Sequence, residues 1–220
     1  MTAARFYYLH PLLAGPIDTW VRQLDRIAAM RFDAVAIAPP FAAGRSGDLF
    51  LTADHARLDE RLGGKEAVVQ LSRFAKECRD RQLSPMLDLV VDRVAIEHAD
   101  GLSSWYRGDA PDELPDPRRP SQLPGVAHLL TDGEWVGAVD WWRKQIAQWV
   151  DAGINHFRCL HPYLVPGELW RQLITAVRRQ HSRVRFIAST AGLESAESEA
   201  LAGCGFDLME TCSRGSPFRV

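Results

Sequence analysis

Cysteine is scarce in this sequence and unpatterned. The four residues, Cys78, Cys159, Cys204 and Cys212, include no C-x-x-C pair, so neither a zinc ribbon nor a disulfide frame is indicated. Three of them sit in apolar stretches and read as small core residues of a protein in the reducing cytoplasm. Charge of one sign is also missing: 26 Lys and Arg against 28 Asp and Glu give a formal net charge of −2. That balance gives no electrostatic case for nucleic acid or a membrane surface as a partner. No apolar run reaches the ~18 residues of a membrane span, and the N-terminus lacks the charged, apolar, small-residue order of a signal peptide. Neither G-x-G-x-x-G after the first strand nor G-x-x-x-x-G-K-[ST] anywhere occurs, which weakens a nucleotide-binding reading. No cofactor and no metal ion are expected.

What is present is a regular alternation of two hydrophobic periods. With 46% hydrophobic residues the chain can bury a sizeable core. Its 220 residues are near one domain, or slightly more, by the prior of ~100–200 residues each. Short apolar runs mark six strands: Phe6–Leu9, Asp33–Ala38, Pro85–Val91, His156–Leu160, Arg185–Ala188 and Phe206–Met209. Almost wholly apolar runs of this kind are typical of strands buried on both faces of a parallel sheet. Between them apolar residues recur at three-and-four spacing, as in Trp20, Leu24 and Ile27, or Trp142, Ile146 and Trp149, which is one buried face of a helix. Gly153 is placed to stop the helix over Trp135–Val150, and a short helix is read at Glu194–Ala202. Alternating strand and helix with crossover-length connections predicts a parallel sheet with helices outside. Periodicity alone leaves both an open doubly wound sheet and a barrel in play.

Two stretches break the pattern. Phe41–Gly64 reads as a loop rich in Gly, Asp and Arg. Residues 96–134 read as an extended loop or a small inserted subdomain after the third strand, with five prolines from Pro111 to Pro124. A structureless stretch of that length in a compact domain is usually functional. The basic cluster Arg178, Arg179, His181, Arg183 and Arg185 reads as the wet face and end of a helix, where cations suit the dipole, rather than as a phosphate patch.

The stretch His156-Phe-Arg-Cys-Leu-His-Pro-Tyr-Leu-Val-Pro166, with Trp170 beyond it, is a short strand that runs into a Pro-bracketed loop and a helix. It resembles the fourth-strand motif Phe-Arg-x-Asp of the α-amylase superfamily of glycoside hydrolases. Met86-Leu-Asp-Leu-Val-Val-Asp92 is similar to that family's third-strand motif, with Asp88 as its leading Asp, and Phe186-Ile-Ala-Ser-Thr190 to its fifth-strand motif F-x-A-E-x. Asp54–Gly64 and Ala152–Arg158 fit the approaches to neighbouring strands. Pro162, Pro166 and Trp170-Arg-Gln-Leu-Ile174 extend the likeness to the bacterial maltosyltransferases that lengthen α-glucans from maltose 1-phosphate.

The resemblance covers nearly the whole chain and implies a (β/α)8 TIM-type barrel, of which about six strand–helix units are read here. It further implies an α-glucan or malto-oligosaccharide as partner, and because six units leave an open sheet edge, either the rest of a longer polypeptide or units supplied from elsewhere are expected to complete the barrel. The departures fall on the chemistry. Leu160 stands at the nucleophile position and Ser189 at the general-acid position, so no catalytic residue is assigned at either. Asp92 and Arg93 stand where many members have Asn-His, and the family's third carboxylate follows a seventh strand. The resemblance makes Asp88 the partner of Arg158, an ion pair that persists without catalysis, although Asp88 or Glu194 as a displaced catalytic carboxylate is the alternative. Asp88, Arg158, His161 and Tyr163 are the candidates for substrate binding, and Trp105 and Tyr106 can stack on a sugar or pack in a core. Three functions stand side by side: a non-catalytic α-glucan-binding domain, an active transferase or hydrolase, and a docking domain of a longer enzyme.

Overall fold

A computed structural model describes residues 5–99, 102, 104–108, 125–190, 193 and 195–210. In chain order the elements are β1 (Phe6–Leu9), α1 (Pro11–Ala14), α2 (Val21–Ala29), β2 (Ala34–Ile37), β3 (Phe41–Ala43), β4 (Thr52–Leu58), α3 (Ala67–Asp80) and β5 (Ser84–Val90). There follow β6 (Arg93–Ala95), α4 (Ile96–Ala99), β7 (Tyr106–Gly108), β8 (Val126–Leu129), α5 (Val136–Asp151), β9 (His156–Leu160), α6 (Gly167–Gln180), β10 (Arg185–Ser189), α7 (Ser195–Ala202) and β11 (Leu208–Glu210). Six strands make the main sheet in the order β1-β2-β5-β9-β10-β11. Every neighbouring pair is parallel. All six strands read from the apolar runs are there, in sequence order across the sheet.

Side chains alternate across a strand, and here the two faces meet different surroundings. Val35, Ile37, Leu87, Leu89, Phe157, Cys159 and Phe186 point into the large core under the helices. Ala34, Ala36, Met86 and Ile187 form a small cluster on the other face with Phe6 against it. Helices α5 and α6 close the outer layer with Trp142, Ile146 and Trp149, and with Trp170, Leu173, Ile174 and Val177, each buried. Gly153, at φ +101°, ends the α5 turn, and a Cβ there would collide with the Arg79 guanidinium and crowd Ala75. The described cysteines Cys78, Cys159 and Cys204 are free and buried. Arg178 and Arg185 of the basic cluster both pair with Asp207, at 2.6 and 2.8 Å, as a helix end and strand start should.

Strand pairing also occurs in the stretch read as a loop, and in and beside the one read as an extended loop or a small inserted subdomain. Within 41–64, β3 and β4 form an antiparallel pair whose register shifts twice. Its burial does not alternate, since Thr52, His55 and Leu58 go inward at every third residue, so no period-two signal existed in the sequence. On either side of the Pro-rich stretch, whose residues 109–124 lie outside the described ones, β6, β7 and β8 form a second small sheet in the order β6-β8-β7. Its strands are three or four residues long, too short for a hydrophobic period to register. The Tyr106 hydroxyl donates to the Val91 carbonyl at 2.8 Å and accepts from Trp142 Nε1 at 2.9 Å. This bond pair ties the small sheet to β5 and α5.

Candidate functional site

Side chains from five strands converge on one group. Asp88 on β5 lies opposite Arg158 on β9 in the sheet register, and both side chains project to the inner face. The Arg158 Nε donates to Asp88 Oδ1 at 2.7 Å and Nη2 to Oδ2 at 2.8 Å, the two-pronged geometry that guanidinium and carboxylate favour. The guanidinium lies 4.7 Å from the Tyr8 ring centroid, and its Nη1 lies 3.7 Å from Glu210 Oε1. Glu210 Oε2 accepts from Ser189 Oγ at 2.7 Å, and Thr190 Oγ1 donates to the Glu210 carbonyl. Residues from β1, β5, β9, β10 and β11 thus share one hydrogen-bonded, ion-paired patch.

Burial sets the protonation of this patch. Desolvation pushes the Asp88 carboxyl up against the downward pull of Arg158. For Arg158 burial works against the charge, yet the Asp88 hydrogen bonds leave its proton held more tightly than usual. Burial and the neighbouring Asp88 charge push the Tyr8 hydroxyl up to about 12, so it stays a donor at neutral pH.

Leu160, 9% exposed, ends β9 at the wall of a cleft of about 330 Å3 that Tyr8, Asp48, Phe50, Arg93, Arg158 and His161 also line. His161 follows in the left-handed region at φ 45° and ψ 46°, a conformation unusual for a residue with a Cβ and often found where function requires a particular aim. The turn Pro162–Leu164 after it is anchored because Trp170 Nε1 donates to the Pro162 carbonyl at 3.0 Å. Arg93 Nη2 meets His161 Nδ1 at 2.8 Å. A guanidinium only donates, so this nitrogen accepts and the ring proton lies on Nε2. Burial, and next the Arg93 charge, lower the His161 pKa. Asp92, 2% exposed, sits 3.5 Å from Arg93 Nε with both oxygens buried and not hydrogen-bonded, and burial pushes its carboxyl up.

Of the residues singled out from sequence, Asp88, Arg158, His161 and the two substituted positions Leu160 and Ser189 gather at these strand ends. Tyr163 meets the His161 ring edge-on, with centroids 6.3 Å apart, but does not line the cleft. It is 42% exposed and lines a separate depression with Thr131, Pro166 and Leu201. Tyr106 is core, 2% exposed, and Trp105 packs over Gly137, so the pair is not a sugar platform. Glu194 lies outside the described residues. Glu210, a bare strand-end carboxylate in the sequence, proves to be part of the patch, as does Tyr8, and Arg93 lines the cleft beside His161. The only signal for Glu210 was its place at the end of a sixth strand, where the loops of such folds converge.

A second group lies behind the cleft. His55 is 7% exposed and packed among Phe41, Trp142, Trp149 and His98, with ring centroids 5.1 to 5.8 Å away. Burial, with a smaller push from His98, lowers its pKa to about 3. No group of three or more potential metal ligands occurs among the described residues, and no described helix is long and apolar enough to cross a membrane.

A parallel sheet with outer helices and a strand-end site is the architecture of the α-amylase barrels, and structural comparison agrees. An α-amylase from Lactobacillus plantarum superposes with a TM-score of 0.74 at 15% identity, covering 94% of this chain and 52% of that one. The chain is a partial (β/α) barrel of amylase type, with six of the strands of that fold. No protein-family profile matches it. In sequence it is maltosyltransferase-like. It is 33% identical over 211 residues to the α-1,4-glucan:maltose-1-phosphate maltosyltransferase of Burkholderia pseudomallei, covering 93% of this chain. The enzyme of the same name from Bifidobacterium animalis subsp. lactis is 25% identical over 212 residues. The chain spans only 19% and 29% of the lengths of these two relatives.

Proposed function

We propose that the chain is an α-glucan-associated domain that holds malto-oligosaccharide in the strand-end cleft without cleaving it. One observation carries this reading. Leu160 and Ser189 stand at the ends of β9 and β10, where amylase-type chemistry needs carboxyls, while the Asp88–Arg158 pair below them is intact. Retaining glycosyl transfer takes one carboxyl as nucleophile and another as acid/base. An alkyl group cannot form the glycosyl-enzyme bond, and a serine hydroxyl does not give up its proton at neutral pH. The sugar class follows from the relatives, whose names specify α-1,4-glucan. Buried free cysteines suit a reducing cytoplasm.

A second reading, transfer by displaced carboxylates, has Glu210 in its favour, because its Oε2 lies 2.7 Å from the Ser189 hydroxyl. A third, docking within a longer enzyme, draws on the short span of the relatives that the chain matches. Calorimetric titration with maltotetraose, together with a product assay on maltose 1-phosphate, separates the three. The expected result is saturable binding without product. His161→Ala should weaken binding about tenfold, the equivalent of one lost hydrogen bond, and Tyr163→Ala should leave it unchanged. Product that disappears in Glu210→Gln would replace the proposal with the second reading. A folded chain that gives no heat would replace it with the third.

A further inference from the structure

We propose that Arg93, with Asp92 behind it, is the residue that positions His161 as a fixed donor in the strand-end cleft, an inference that rests on the saccharide-binding reading above. Arg93 and His161 both line the cleft, yet they come from distant parts of the chain, the start of β6 and the end of β9. Their contact spans 68 residues of sequence, and Arg93 Nη2 lies 2.8 Å from Nδ1 and 3.5 Å from Nε2. The shorter contact is the hydrogen bond. It occupies the one lone pair that a neutral imidazole has to give. The ring can then offer a ligand only a donor, Nε2–H, and no acceptor.

His161 is held from two directions. Its backbone sits in the left-handed region, and the turn beyond it is tied down by Trp170. Its side chain is aimed by Arg93. A donor fixed before the ligand arrives costs less ordering on binding than a free one. Arg93 is placed in turn by charge. Asp92, 2% exposed, lies 3.5 Å from Arg93 Nε with neither oxygen hydrogen-bonded, so it attracts the guanidinium without drawing Nη2 off the ring. The other ionisable groups nearby are Tyr8, Asp48 and Arg158 on the cleft, and His128 on β8, which faces Asp92. Tyr163, in the same turn as His161, meets its ring edge-on. Burial lowers the His161 pKa most, the Arg93 charge lowers it further, and the Asp92 charge opposes both. The ring is therefore neutral at neutral pH. Acid, by protonating Nδ1, replaces the hydrogen bond with repulsion between two cations.

Calorimetry with maltotetraose on the whole chain, as a double-mutant cycle over Arg93 and His161, separates positioning from direct contact. Arg93→Gln should weaken binding about tenfold, as His161→Ala does. The double variant should lose no more than His161→Ala alone. If Arg93 touched the sugar itself, the two losses would multiply to about a hundredfold. The second readout is the titration of the His161 ring by NMR, its signal assigned by its loss in His161→Ala. Arg93→Gln should raise that pKa and Asp92→Asn should lower it, opposite shifts that a general loosening of the structure would not produce. Thermal melts identify any variant that fails to fold. Should Arg93→Gln be one, Arg93→Lys, which keeps the charge beside Asp92 but not the planar fork, takes its place in the cycle, and its loss should likewise vanish in the His161→Ala background. Losses that multiply, or a His161 titration that the Arg93 and Asp92 variants leave in place, would overturn the positioning role and leave the saccharide reading standing. A folded chain that binds no maltotetraose would overturn both.

Discussion

Arg158→Met should lower the stability of the protein by about 3–5 kcal/mol, the usual cost of leaving one partner of a buried ion pair alone. Asp88 is 2% exposed and takes both of its strong hydrogen bonds from Arg158. Without the guanidinium its charge has no compensating partner, and Glu210 loses its ion pair too. Asp88→Asn should cost less than Arg158→Met, because Glu210 still faces the remaining cation and an amide can still accept one hydrogen bond. The double variant Asp88→Leu/Arg158→Met should recover much of the loss, since apolar pairs of similar volume often replace a buried ion pair with little penalty. Urea melts of the two single variants and the double variant form a thermodynamic cycle. Small, additive losses would show that the pair is solvated in solution and would remove the structural role assigned to it.

Mild acid should destabilise the protein steeply, and His55 should account for most of a single-proton slope. In the unfolded chain a histidine titrates near 6.5, whereas in the folded protein His55 titrates at about 3. Between those values the unfolded state binds a proton that the folded state refuses, so unfolding becomes easier as the pH falls. The contribution is fully present above ~6.5 and is lost at ~1.4 kcal/mol per pH unit below it, to a total of roughly 4–5 kcal/mol near pH ~3. His98, His156 and His161 are shifted downward as well, each chiefly by burial, and add to the same limb. His55→Phe keeps an aromatic ring in the nest of Phe41, Trp142 and Trp149 and should flatten the limb by about one proton. Stability measured in urea across the neutral to mildly acidic range gives the slope directly. An unchanged slope in His55→Phe would mean that the imidazole is hydrated in solution.

Much of this architecture was legible in the sequence, and the exceptions have physical causes. The main-sheet strands were visible because burial on both faces removes polar residues from runs such as Ala34–Ile37. The ion pair was visible because Asp88 and Arg158 are single charges within apolar strands, and the likeness to known barrels coupled them. The β3–β4 pair was not visible, since its inward residues follow no strand period. The burial of His55 escaped notice for a related reason. Its neighbours Asp54, Ala56 and Arg57 are polar or small, and the aromatic residues around it come from β3 and α5. Glu210 was a carboxylate without context until the parallel pairing of β10 with β11 set it opposite Ser189. A pair of that kind depends on register across a crossover, which local sequence does not encode.

The parallel sheet has a kinetic side. No two neighbours in it can be joined by a hairpin, so each pairing waits for a crossover to close. Phe6 pairs with Ala34, and Arg185 with His156, after short excursions. Asp88 must find Arg158 across 70 residues of chain, because the small β6-β8-β7 sheet and α5 lie between them. Each doubling of a loop adds only about 0.6 kcal/mol of closure entropy, yet this is the longest such search in the sheet. The two halves on either side can zip up early from near neighbours. The seam between β5 and β9, which brings the cleft's carboxylates and guanidiniums together, carries the greatest entropic debt of assembly.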